Sequence, residues 1–147
     1  MNLYKELKEL LYREIPISKS MGIDVESYDD KSLCLFAPLD KNINHKMTAF
    51  GGSLYSVAVL SGWSLLYLVL KENELSGHIV IHESRVLYSR PVTGPIVACS
   101  RFDSDANLKR AISLYEKKGR CRVNITVLVE QDGMEAFRLE GRYVVHR

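Results

Sequence analysis

Apolar and polar positions recur along this chain in a helical rhythm and in a strand rhythm, and one stretch follows neither. From Ala49 to Leu70, AFGGSLYSVAVLSGWSLLYLVL, 22 residues pass without a charged side chain. As a helix from Gly51 to Leu70 the stretch would run about 30 Å, enough to cross a small domain. Its apolar positions, among them Leu54, Val57, Leu60, Trp63, Leu66 and Leu68, fall on no single stripe. Such a helix has to be enclosed on every side, by protein or by lipid. It passes the length threshold for a membrane span. However, Ser53, Ser56, Ser61, Gly62 and Ser64 interrupt it, Tyr55 and Tyr67 add hydroxyls, and no polybasic cluster flanks it. Enclosure by protein, with no membrane span, is therefore expected.

The remaining segments are more regular. Residues 2–14 place Leu3, Leu7, Leu10 and Leu11 at helical spacing opposite Lys5, Glu6, Lys8 and Glu9, and Pro16 stops the pattern. Met21 to Tyr28 and Ser32 to Ala37 predict two short strands around a turn at Asp29-Asp30-Lys31, and Pro38 closes the second. A polar loop, LDKNINHKMT, leads into the central helix. Beyond it, His78 to Arg90 and Ile96 to Phe102 predict strands, and Ala106 to Lys118 a helix stopped by Gly119. Arg120 to Glu130 and Met134 to Val145 flank Asp132-Gly133, a strong hairpin signal. Hairpin-joined strands imply an antiparallel sheet, and one wholly apolar helix needs a sheet curled around it. Periodicity thus predicts an α+β domain with its helix wrapped in sheet.

Composition narrows the function classes. A chain of 147 residues is one domain by size, residues 1–147. With 20 basic and 18 acidic residues there is no block of charge that would point to nucleic acid. The N-terminal MNLYKELKELL is too charged for a signal peptide. Three cysteines, Cys34, Cys99 and Cys121, sit in apolar strand-like runs without metal spacing, which reads as reduced, buried thiols in a cytoplasmic protein. His78 and His82 lie four apart on a strand, about 13 Å, too far to share a metal ion.

The element order, with a double glycine opening the buried helix, resembles the hotdog fold: an antiparallel sheet wrapped around a long central helix (about 51–70), here with an extra N-terminal helix. Many hotdog acyl-CoA thioesterases carry N-x-x-x-T-x-H-G-G, and this chain reads Asn44-His45-Lys46-Met47-Thr48-Ala49-Phe50-Gly51-Gly52. The segments NIN, TAFGGSLYS, SGW and LYSRPVTG are similar to a narrower group of bacterial thioesterase domains, some of them fused behind an acetyltransferase domain. Phe50 stands where the commoner group has its histidine, and Val59 where it places a carboxylate.

Thioester hydrolysis needs a polarised carbonyl and a group that activates water or attacks directly. The resemblance implies that the backbone amides at Gly51 and Gly52 polarise the carbonyl, since a helix start presents unpaired N–H groups at the positive end of its dipole. Glu83, an acid in an otherwise apolar strand, is the candidate carboxylate; a salt bridge to Arg85 is its structural alternative. Asn44 is a candidate for holding water or the carbonyl. Thr48, Phe50, Ser53 and Ser56 are candidates for substrate contact, with Thr48 or Ser53 also expected to cap the helix. Arg85 and Arg90 are candidate cations for the CoA phosphates. No cofactor beyond CoA as part of the substrate is implied, and no metal. The implied partners are acyl-CoA or an acyl carrier and a second copy of the chain, as a dimer or tetramer. Two alternatives stay open. Asp40, Asn42 and His45 fit the D-x-N-x-x-H spacing of hotdog enoyl-CoA hydratases. The absent histidine and carboxylate suit a non-catalytic acyl-binding module.

Overall fold

The amphipathic repeat at the start of the chain folds as α1 (Leu3–Glu14), in a computed structural model that describes residues 2–29 and 31–147. Asn2 caps it, its side-chain oxygen accepting from Tyr4 N and Lys5 N, and Leu7 and Leu11 are its buried stripe. Pro16 does stop this helix, but its backbone (φ −56°, ψ −27°) is already helical and a further turn, α2 (Ile17–Ser20), follows. Gly22, at φ 69°, then redirects the chain, so the first strand begins at Asp24 rather than Met21.

The other elements are β1 (Asp24–Tyr28), β2 (Ser32–Ala37), α3 (Gly51–Glu72), β3 (His78–Tyr88), β4 (Ile96–Phe102), α4 (Asp105–Lys118), β5 (Arg120–Gln131) and β6 (Met134–His146). The β1–β2 turn lacks a glycine because Asp29 Oδ1 accepts from Lys31 N, Ser32 N and Ser32 Oγ. Those backbone donors hold the Asp29 carboxyl below its usual range. Asp30, part of the expected turn, lies outside the described residues. Asp132 (φ 53°) and Gly133 (φ 76°) are both left-handed, the geometry of a tight hairpin turn between β5 and β6.

All six strands join one antiparallel sheet in the order β1-β2-β4-β5-β6-β3. Its inner face curls around α3, which therefore touches β2, β3, β4, β5 and β6. The SGW segment shows how the wrapping is made. Ser61 Oγ donates toward Leu33 O and Ala98 O, on β2 and β4. Gly62 leaves room for Tyr143 of β6: a Cβ there would lie 2.3 Å from the tyrosine oxygen, which instead donates to Val59 O at 2.7 Å. Trp63 Nε1 donates to Ile79 O on β3. Three consecutive residues thus tie the helix to opposite sides of the sheet.

The enclosure is incomplete. Gly52, Ser56, Val59, Trp63 and Tyr67 recur at helical spacing and stay exposed or half-buried, so α3 carries one open stripe. By length and composition α3 could cross a membrane, yet 67% of its apolar window is buried inside the protein, as for a core helix. The two sheet edges also differ. β1 is covered by α1, through Tyr28 N to Tyr4 Oη, Tyr12 Oη to Ile23 O and the Lys8–Asp24 ion pair. β3, 11 residues long, pairs among the described residues with β6 alone and presents Val80 and Leu87 to solvent.

The cysteine expectation is corrected. The antiparallel register sets Cys34 opposite Cys99, and the two form a disulfide on the half-buried outer face of the sheet. Only Cys121 is a free, buried thiol, and burial raises its pKa.

Candidate functional site

The chain enters α3 through a loop that is pinned from several sides. Asn42, 2% exposed, donates through Nδ2 to Met21 O and Pro38 O, while its main-chain carbonyl accepts from Phe50 N at 2.7 Å. Asn44 Oδ1 accepts from Lys46 N and Thr48 N, and its Nδ2 donates to Thr48 Oγ1. Ala49 N donates to Val92 O. Asn44 and Thr48 are therefore brought together, but as a staple that closes their own turn.

The result is a helix start held firmly and left bare. Phe50 occupies the cap position in extended backbone (φ −63°, ψ 133°) and offers no side-chain acceptor. Neither expected cap forms: the Thr48 hydroxyl is bonded to Asn44, and Ser53 makes no such bond. The N–H groups of Gly51, Gly52 and Ser53 have no hydrogen-bond partner among the described residues, and no acidic side chain stands in the first turn. Unpaired donors at the positive end of a 22-residue helix favour a developing negative charge.

Around this start lies a hollow of about 300 Å³ lined by Ala49, Gly51, Leu54, Tyr88, Arg90 and Val92. Tyr88 Oη donates to Gly51 O at 2.9 Å. The Phe50 ring, 55% exposed, lies against Gly52, where an added Cβ would sit 2.4 Å from it. Ser56 Oγ donates back to Gly52 O, one turn along the open stripe. Tyr55 Oη and Ser84 Oγ, 2.7 Å apart, bridge α3 and β3 just beyond. Among the sequence candidates, the structure thus sets Gly51 and Arg90 on the hollow, and Phe50, Ser53 and Ser56 beside Gly52, with Asn44 and Thr48 in the loop before them.

Glu83 and Arg85 are not gathered there. Ile79 and Ile81 face the helix, and regular alternation would turn Glu83 the same way. A bulge between Ile81 and Glu83 reverses the parity, so Ser84 faces Tyr55 of α3 and Glu83 and Arg85 face outward. Both line an open cavity of about 460 Å³ on the outer face with Asp103, Asn124, Glu140 and Arg142. Glu83 stands opposite Arg142 and Arg85 opposite Glu140, and the described ion pairs do not include Glu83 with Arg85. The His78 ring lies tilted against that of His146, with centroids 5.3 Å apart. Asp40 and His45 are exposed, whereas Asn42 between them is buried in its staple. Sequence reasoning missed Asn42 as the loop pin, and missed Tyr88 and Tyr55 beside the helix start. The only signal for Tyr88 was its place in LYSRPVTG.

A long central helix with a bare glycine start, wrapped by an antiparallel sheet, defines the hotdog class. The chain belongs to the family described as "Putative thioesterase (yiiD_Cterm)", which it matches over residues 4–147. Among solved structures, a protein of unknown function from Chlorobaculum tepidum TLS is 33% identical, with a TM-score of 0.92 over 99% of this chain and 94% of that one. A protein titled "putative thioesterase" from Shewanella oneidensis is 28% identical, with a TM-score of 0.85 over 99% of this chain and 98% of that one. A Pseudomonas aeruginosa protein titled "Probable Thioesterase" shares the fold at 20% identity, with a TM-score of 0.80 over 99% and 97% of the two chains.

Proposed function

We propose that this protein hydrolyses acyl thioesters, with CoA or an acyl carrier as the thiol, at the start of α3 in a homodimer. The observation that carries the reading is the uncapped start itself: three N–H groups without partners, beside a hollow, on the helix that the family membership makes central. An acyl carbonyl seated at Gly52 accepts from the amides of Gly52 and Ser53, and the same donors hold the oxyanion formed on attack. One such donor contributes about 3 kcal/mol of transition-state stabilisation. Phe50 and the hollow offer apolar surface to the acyl or pantetheine chain, and Arg90 at the rim offers charge to the CoA phosphates.

Pairing of two copies along β3 is supported by the uncovered edge, the exposed Val80 and Leu87 upon it, and the open stripe on α3. The described groups at the helix start bind and polarise, and none of them is a carboxylate. A cytoplasmic setting rests on the CoA-dependent reaction alone, since the Cys34–Cys99 disulfide removes the argument from reduced thiols.

A panel of acyl-CoAs of graded chain length, followed by thiol detection, tests the reading. Thiol release from at least one member is expected. Tight binding of acyl-CoA with no release across the panel would instead establish an acyl-binding module. Consumption of an enoyl-CoA without free thiol would establish a hydratase.

A further inference from the structure

The double glycine divides into two tasks, and a tyrosine explains the first. Tyr88 ends β3 on the face turned toward α3, because the bulge before Glu83 has shifted the parity of that strand. Its ring is set edge-on to Phe137, with centroids 5.0 Å apart, and Phe137 is fully buried. A Cβ on Gly51 would lie 3.3 Å from the Tyr88 ring, so the missing side chain at 51 lets the ring come close. From that position the hydroxyl donates to Gly51 O at 2.9 Å.

The accepting carbonyl and the Gly52 N–H belong to the same peptide unit. A carbonyl has two lone pairs, so Gly51 O takes this bond in addition to its helical one. A hydrogen bond to the oxygen of a peptide draws electrons from its nitrogen and makes the N–H on the far side a stronger donor. It also fixes the plane of that peptide, and so the direction in which the Gly52 N–H points. We propose that Tyr88 is a positioning residue for thioester cleavage: through the Gly51–Gly52 peptide it orients and polarises the amide that receives the acyl oxygen. This rests on the hydrolase reading above. Tyr88 is 55% exposed, and a phenol is in any case a donor at neutral pH; partial burial, and then the nearby Tyr55, raise its pKa further. Gly51 thus serves the tyrosine, and Gly52, exposed beneath Phe50, serves the ligand.

The test is Tyr88→Phe, which keeps the ring and removes the hydroxyl. Two readouts are taken: the amide signal of Gly52 in the ¹H–¹⁵N spectrum, and kcat and KM for the acyl-CoA turned over fastest by the wild type. An upfield move of the Gly52 proton is expected, with kcat down about fivefold and KM within about twofold. Tyr12→Phe is the control, since it removes an equivalent bond, to Ile23 O, far from α3 and should change neither readout. Gly51→Ala crowds the same contact from the other side and should shift both in the direction of Tyr88→Phe. If Tyr88→Phe leaves the Gly52 signal and kcat at wild-type values, or acts on KM alone, the proposal is overturned. If the wild type releases thiol from no acyl-CoA, the hydrolase reading fails by itself. The Gly52 signal then decides whether Tyr88 polarises that peptide.

Discussion

Helices α3 and α4 begin in opposite ways. α4 starts with Ser104, whose hydroxyl accepts from Asn107 N, has Asp105 in its first turn, and ends on Gly119 at φ 74°. The shorter α1 is capped as well, by Asn2. α3, the longest helix described, starts at Phe50 with no side-chain acceptor and no acid. A cap contributes about 1 kcal/mol, so its omission from the longest helix is a cost borne at that position. What replaces it is support from the flanks: Ser61, Trp63, Tyr88 and Tyr143 bind α3 to the surrounding strands along its length. A helix held by its sides can leave its end free for a ligand.

The largest expected effect comes from closing that end. Phe50→Asp places an acceptor at the cap position, next to unpaired amides at the positive end of the dipole. Stability in urea should rise by about 1 kcal/mol while thioester hydrolysis falls about 100-fold or more, because the donors are occupied. Phe50→Ala separates loss of the ring from gain of the cap and should retain most of the rate. A variant at position 50 that gained stability and kept its activity would remove the bare start from the chemistry.

Next in size is a change on the flank. Gly62→Ala should lower stability by about 2 kcal/mol even though alanine favours helix by about 1 kcal/mol, since the new methyl meets a buried tyrosine. Adding Tyr143→Phe, which removes the nearest atom, should return part of the loss. Additive losses in the double variant would contradict the close approach. Ser104→Ala should take about 1 kcal/mol from α4 and leave the rate untouched, as an ordinary cap does. The smallest effect is expected at Glu83→Gln on the outer face: under about 0.5 kcal/mol in stability, and a rate within about twofold of wild type. A larger fall in rate would bring Glu83 into the site through a second copy.

The elements were largely legible in the sequence because their periodicity is local. α3, β4, α4 and the Asp132-Gly133 hairpin fall within a few residues of where their patterns predict them. What escaped depends on register. The disulfide follows from Cys34 meeting Cys99 across 65 residues, which no spacing along the chain announces. The outward turn of Glu83 follows from one bulge, and a single extra residue reverses every later side chain on the strand. The missing cap depended on where two hydroxyls point: Thr48 Oγ1 is taken by Asn44, and Ser53 lies inside the helix rather than before it. The glycines were legible as a helix start, whereas the tyrosine at their side needed the sheet to place it.

The central claim is that an acyl oxygen sits on the bare amides of α3. It is tested most directly by infrared difference spectroscopy of a bound acyl-CoA analogue in which a ¹³C-labelled ketone replaces the thioester. In the wild type the labelled carbonyl band should move to lower wavenumber than in buffer, and in Phe50→Asp that shift should disappear. A tightly bound analogue whose carbonyl band in the wild type matches the free ligand would contradict the claim.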